Sequence, residues 1–167
     1  VIDVNLKDVI SRFTFIWKTD NVTVSVMLAP HLRCISKVEL VDGSDVLASL
    51  SGEEAQALNY YEGQAILTDE LGLTVGDVFT SVFHLNFGRW LYAPVLALDP
   101  NKYRNLQLRV TWDEDAANTA VIVNSLTITA DVFDEKKVSP QGFLMAKEIF
   151  SYTPAASAFE YIDLPTD

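Results

Sequence analysis

Very little in this chain can hold a metal or cross-link a fold. Cys34 is the only cysteine among 167 residues, so no intrachain disulfide and no cysteine-based zinc cluster can form. His31 and His84 are the only histidines, and they stand far apart in the sequence. A histidine-rich metal site, which needs several imidazoles and a carboxylate converging on one point, is therefore excluded. Basic residues are few: 12 Lys and Arg against 23 Asp and Glu, for a formal charge of −11. Phosphate backbones are held by clustered Lys and Arg, so a direct nucleic acid partner is not expected. No apolar run approaches the roughly 18 residues that a membrane-spanning helix needs. No internal repeat and no low-complexity tract is present.

What is abundant is apolar and strand-forming. Hydrophobic residues make up 49% of the chain and charged residues 21%, a globular balance. At this length a real core can be buried without staples. Arg12 to Lys18 (RFTFIWK) and Val22 to Leu28 (VTVSVML) read as two strands about a turn at Thr19-Asp20-Asn21, an antiparallel hairpin. Asp77 to Phe87 places Phe79, Ser81, Phe83, Leu85 and Phe87 on one face, and three Phe on one face mark a core. Asn105 to Trp112 alternates with Leu106, Leu108, Val110 and Trp112 inward. Thr119 to Phe133 is a long strand with Ile122, Asn124, Leu126 and Ile128 on one face. Phe143 to Thr153 fits either a strand or a short helix, and Ala158 to Leu164 is a last alternating strand.

One stretch, Ile35 to Gly63, departs from the all-strand pattern. Ile35–Val41 alternates, Asp42-Gly43-Ser44 is a tight-turn signal, and Val46–Leu50 reads as the return strand. Ser51 and Glu54 form an S-x-x-E capping box, predicting a helix over Gly52–Glu62 that ends at Gly63. Asp99 before Pro100 predicts a short helical turn. The expected fold is all-β: an eight-stranded jelly-roll sandwich with one inserted α-helix and a short helical turn.

No catalytic constellation assembles from these residues. Cys34 has no local base, Ser51 has its capping role, and no G-x-S-x-G elbow occurs. Asp42-Gly43-Ser44-Asp45 is explained by turn chemistry, since the twelve-residue calcium-loop pattern is absent. Glu53 and Glu54 suit the first turn of a helix, where negative charge meets the dipole. Asp113-Glu114-Asp115 reads as a solvated acidic loop, the alternative being a cation held at an interface. His31 and His84 are expected at the surface or an interface, Cys34 as a buried inert thiol, and Trp17 and Trp112 in the core. No catalytic, cofactor-binding or metal residues are assigned, and neither a cofactor nor a small-molecule substrate is expected.

Val38 to Tyr61, VELVDGSDVLASLSGEEAQALNYY, nearly reproduces the pattern IELxDGSxxxxSLSGxEAxxLNxY, and the aromatic stretch Phe83 to Trp112 follows it. In these residues the chain resembles the first jelly roll of the double-jelly-roll major capsid proteins, the lineage of tectiviruses, related membrane-containing phages and the adenovirus hexon. The tail from Glu148, EIFSYTPAASAFEYIDLPTD, is similar to the link into the second jelly roll. The resemblance implies a non-enzymatic virion protein that associates with itself as a trimer. Its pseudo-hexameric capsomers would build an icosahedral shell over an underlying membrane. It also implies contacts through helix 52–62 and loops 88–104. The expected organisation is a jelly-roll capsid domain over 1–144, with 145–167 as linker and first strand of a second jelly roll; the alternative is a single-jelly-roll capsid protein of the same broad lineage. The rival reading is a carbohydrate-binding β-sandwich module, with Trp17, Trp90 and Trp112 as candidate sugar-stacking aromatics, of which Trp90, beside Tyr92 in a turn, is the one expected to be exposed.

Overall fold

Inward-facing aromatics alternate along residues 10–21, and that alternation sets the centre of the molecule. The computed structural model describes residues 1–22, 30–63, 67–68, 70, 74–115, 121–134, 137–152, 159, 161 and 163. Seven strands are described: β1 (Ile2–Asp3), β2 (Ile10–Asn21), β3 (Ile35–Asp42), β4 (Asp45–Leu50), β5 (Val78–Asn86), β6 (Leu106–Trp112) and β7 (Val121–Val132). They form two antiparallel sheets, ordered β1-β6-β3-β4 and β5-β2-β7. Apart from the β3–β4 hairpin, every consecutive pair of these strands lies in opposite sheets. The fold is thus an all-β sandwich of jelly-roll type with one helix, α1 (Gly52–Gly63), and short 3-10 turns.

The core lies between the sheets. Phe13, Phe15, Trp17, Phe83 and Phe87 from one sheet meet Ile35, Val38, Leu40, Leu106 and Leu108 from the other. Phe15 and Phe83 are cross-strand partners whose rings stack at 4.8 Å. Phe13 and Phe87 meet edge to face at 5.6 Å. Each such pair adds about 1 kcal/mol beyond the area that it buries.

The β3–β4 hairpin turns at Gly43, whose φ of +63° is the left-handed conformation the turn requires. Asp42 finishes the turn by accepting the backbone N–H groups of Arg104 (3.1 Å) and Asn105 (2.7 Å). The capping box closes as expected: the Ser51 N–H donates to Glu54 Oε2 at 2.8 Å, and the Glu54 N–H to Ser51 Oγ at 3.2 Å. Glu53 pairs with Arg33 at 3.3 Å. Gly63 is the last helical residue, without the positive φ of a left-handed cap. The expected helical turn is present as a 3-10 helix, Pro100–Lys102, with Asp99 accepting from the Asn101 N–H at 3.1 Å.

Three expectations about strands are corrected. Residues 19–21 are not a turn: β2 continues through Asn21, and β5 and β7 occupy both of its edges. The expected hairpin partner of β2, Val22 to Leu28, lies outside the described residues beyond Val22. In β7 the pairing with β2 shifts between Ser125 and Val123. This bulge reverses the alternation above it, so Val123 packs on the core and Ile122 is half exposed. Residues 143–152 are neither strand nor helix. The stretch runs extended, and Ala146 and Glu148 bond to both backbone groups of Ser49 (3.0 and 2.8 Å). Among the described residues no helix is long and apolar enough to cross a membrane.

Gly52 starts the helix where no side chain fits. A Cβ there would lie 2.5 Å from the Leu32 carbonyl oxygen and 3.0 Å from Ile35 Cβ, whereas one at Gly63 would meet nothing within 4 Å. Gly52→Ala should therefore cost about 1–3 kcal/mol in urea denaturation by overpacking, with Gly63→Ala close to neutral. Equal effects at the two positions would contradict this packing.

Candidate functional site

Every strand margin carries backbone groups that must be bonded, covered or left to a partner. The outer margin of β5 is covered along its length. Glu70 takes Thr80 through both its backbone N–H (3.1 Å) and its carboxylate (2.9 Å). Thr68 accepts from the Val82 N–H at 2.8 Å. At His84 the partner is a side chain: buried Asn59 of α1 donates Nδ2 to the His84 carbonyl at 2.9 Å and accepts the His84 N–H on Oδ1 at 2.5 Å. A primary amide carries the same donor and acceptor as a peptide unit, so Asn59 replaces a strand neighbour. One turn on, Glu62 accepts from Asn86 Nδ2 at 2.6 Å.

On the outward face of the same sheet, cross-strand pairing sets Arg12 beside Asn86 and Thr14 beside His84. Arg12 Nε donates to Asp131 at 2.5 Å, and Thr14 Oγ1 lies 3.0 Å from His84 Nδ1. Burial, and then the Arg12 charge, lower the His84 pKa below its usual 6.5, with Asp131 acting the other way. The loop after β5 turns back at once. A Cβ on Gly88 would lie 2.6 Å from the Leu96 carbonyl oxygen. Tyr92 takes a φ of +62°, its N–H bonded to Ser11 Oγ at 2.7 Å and its ring edge to face with Phe133 at 5.4 Å. With Tyr92 pinned, Trp90 is pushed outward and is 65% exposed. A pocket of about 340 Å³ results, walled by Arg12, Asn59, Glu62, His84, Arg89 and Trp90.

The opposite side of the sandwich carries an apolar groove of about 540 Å³ between β1 and β7. Ile2, Leu6, Phe13, Leu108, Leu126 and Ile128 line it. Further apolar side chains project along residues 144–152: Met145, Ile149 and Phe150 are each more than half exposed.

The histidines divide. His84 is half buried at the pocket. His31, expected at the surface, is closed in the core at 1% exposure. Its Nδ1 lies 3.0 Å from Thr19 Oγ1, and its Nε2 bonds Ser81 Oγ. The reason is polar satisfaction: Thr19 and Ser81 occupy inward positions of β2 and β5, and the imidazole answers both hydroxyls. Ser81 beside His31 has the outline of a nucleophile and its base, which the sequence did not bring together. With Ser81 at 0% exposure, this pair is core structure closed to substrate. Cys34 is buried, and its thiol donates to the Glu114 carbonyl at 3.7 Å. Asp113, Glu114 and Asp115 are exposed; Glu114 accepts the Val123 N–H at 3.1 Å, and Asp113 the Asp115 N–H at 3.0 Å. Trp17 is fully buried, but Trp112, expected in the core, is 49% exposed at the end of β6, its ring 6.3 Å from that of Trp17.

No protein-family model matches the chain, and no curated protein matches it. Among solved structures it is similar to the crystal structure of the STIV MCP, a major capsid protein, at 15% sequence identity and a TM-score of 0.49. The match covers 77% of this chain and 39% of that one, so the chain spans about two fifths of that protein's length.

Two outcomes follow from this arrangement. Asn59→Ala leaves the part-buried His84 N–H and carbonyl without their protein partner, so it should cost about 1–2 kcal/mol and speed amide exchange at His84. Unchanged exchange there would show that the helix does not seal this margin. A depressed histidine pKa means that the unfolded chain binds the extra proton first. Stability is therefore full above about pH 6.5 and falls as pH drops through the lower folded-state pKa. In urea titrations at pH 7.5 and 5.5, His84→Gln should lose less stability between the two than the parent chain; an equal loss would contradict the assignment.

Proposed function

We propose that the chain is a structural protein of a viral shell, a major capsid protein with no enzymatic role. Its jelly roll stands in a trimeric, pseudo-hexameric capsomer of an icosahedral virion and buries apolar surface against further copies. The observation that carries this reading is the exposed apolar run along residues 144–152. The stretch is anchored to Ser49 at Ala146 and Glu148, yet it holds Met145, Ile149 and Phe150 outward, with Phe150 and Tyr152 in ring contact at 5.1 Å. Apolar surface presented from a fixed backbone marks association, and obligate interfaces are of this kind. The groove between β1 and β7 adds a second apolar face beside the outer margin of β7. Val95 in the 88–104 loops and Tyr60 and Tyr61 on the helix add smaller exposed apolar surfaces.

The domain limits belong to the same proposal. Residues 1–144 form the capsid domain, and 145–167 lead into a second jelly roll. Of the expected strand Ala158–Leu164 only residues 159, 161 and 163 are among the described residues, and Phe159 and Tyr161 are nearly fully exposed. The sequence pattern of Val38–Tyr61 supports the same lineage. The rival reading, a carbohydrate-binding sandwich, is favoured by one observation, the exposed Trp90 beside a polar pocket.

Light scattering on the purified chain over rising concentration tests the proposal. The parent chain should associate, and a double variant, Ile149→Glu with Phe150→Glu, should shift to monomer at least tenfold in concentration while keeping its circular dichroism. A parent chain that stays monomeric throughout, or a variant that associates equally, would count against it.

A further inference from the structure

The pocket beside Trp90 differs in character from the rest of the molecule. The chain carries a formal charge of −11, yet Arg12, Arg89 and the neutral imidazole of His84 line this pocket, with Glu62 the carboxylate in its wall and Asp131 paired to Arg12 beside it. Those groups are partly committed, and what they leave free is mostly donor. Arg12 uses Nε on Asp131, which leaves the terminal nitrogens of its guanidinium. His84 meets Thr14 through Nδ1, which leaves Nε2. Glu62 accepts from Asn86, and the Asn59 amide is used on the β5 backbone. Among the described residues no ion pair involves Arg89, which is exposed. Trp90 stands at the rim with most of its ring uncovered, a flat apolar face beside the polar groups of the pocket. The site is small and concave and rests on strand residues fixed by register, as ligand sites are.

We propose that this pocket binds a single sugar unit carrying a carboxylate, as found at the end of an acidic glycan. The carboxylate pairs with the guanidinium of Arg89 and the free end of Arg12, since planar forks suit carboxylates. The sugar ring lies on the face of Trp90, and its hydroxyls reach His84 Nε2 and Glu62. The pocket's volume of about 340 Å³ suits one ring rather than a chain. The excess of donors selects an acidic sugar over a neutral one, because a neutral ring would leave the guanidinium of Arg89 without a counter-charge, Arg12 already being paired with Asp131. This binding needs only the folded domain and stands apart from shell assembly.

The test is an NMR titration of the whole chain that follows the indole N–H of Trp90. D-glucuronate and N-acetylneuraminate are the acidic probes; D-glucose, sodium sulfate and the dipeptide Glu-Glu are the controls. The expected result is a saturable shift with at least one acidic sugar, at least tenfold tighter than with glucose or sulfate. Arg89→Ala should abolish it, while the Trp17 and Trp112 indole signals stay in place and report an intact fold. Calorimetry on Trp90→Ala should show the same loss. Absence of a saturable shift with either acidic sugar overturns the proposal, as does equal binding of glucose. Sulfate matching the sugars would reduce the site to a simple anion pocket, and tighter Glu-Glu binding would make it a peptide site; each of these also overturns it.

Discussion

The Asn59 amide closing on the backbone of His84 is the contact that the rest of this structure depends on. The three-stranded sheet has β2 at its centre, and an open β5 would offer a row of unpaired groups to any passing strand. The helix removes that hazard at His84, as Thr68 and Glu70 do at Val82 and Thr80. It is placed by the Ser51–Glu54 box at one end and by Gly52 resting on Leu32, and it carries Asn59 to the required height on the sheet. Because α1 follows β4 of one sheet and covers β5 of the other, the seal also ties the two layers together.

The same device sorts the surface. With the β5 margin covered, the β1–β7 groove and the run at 144–152 are apolar surfaces that the described residues leave open. Such a division would serve the proposed assembly, because an uncovered margin would compete with a specific contact. The pocket at Trp90 lies on the sealed side, next to the helix that does the sealing. Its polar character is consistent with a face that stays in water.

Local patterning made much of this legible. The capping box, the Gly43 turn, the Phe face of β5 and the Asp99–Pro100 turn are each set by neighbours within a few residues, and each is found where the sequence places it. What was hidden depends on long-range partners. β2 runs through Thr19-Asp20-Asn21 because β5 and β7 supply hydrogen bonds that outweigh the turn preference of Asp and Asn. The bulge in β7 reverses which of Ile122 and Val123 is inward, and no periodicity displays such a skip in advance. His31 is buried because Thr19 and Ser81, 12 and 50 residues away, need its nitrogens. Asn59 looked like an ordinary helix residue, since nothing local marks an amide that will stand in for a strand. The Trp90 pocket was legible only as one exposed tryptophan with Arg89 next to it in the chain; Arg12 and His84 are brought beside them by register.

The central claim is that this sandwich builds a regular shell by burying its apolar faces against copies of itself. Electron microscopy of particles from the natural source that contain this chain tests it most directly. The account predicts a closed lattice of six-lobed capsomers with the density of this sandwich upright in each lobe. Isolated single copies with no regular lattice would contradict it.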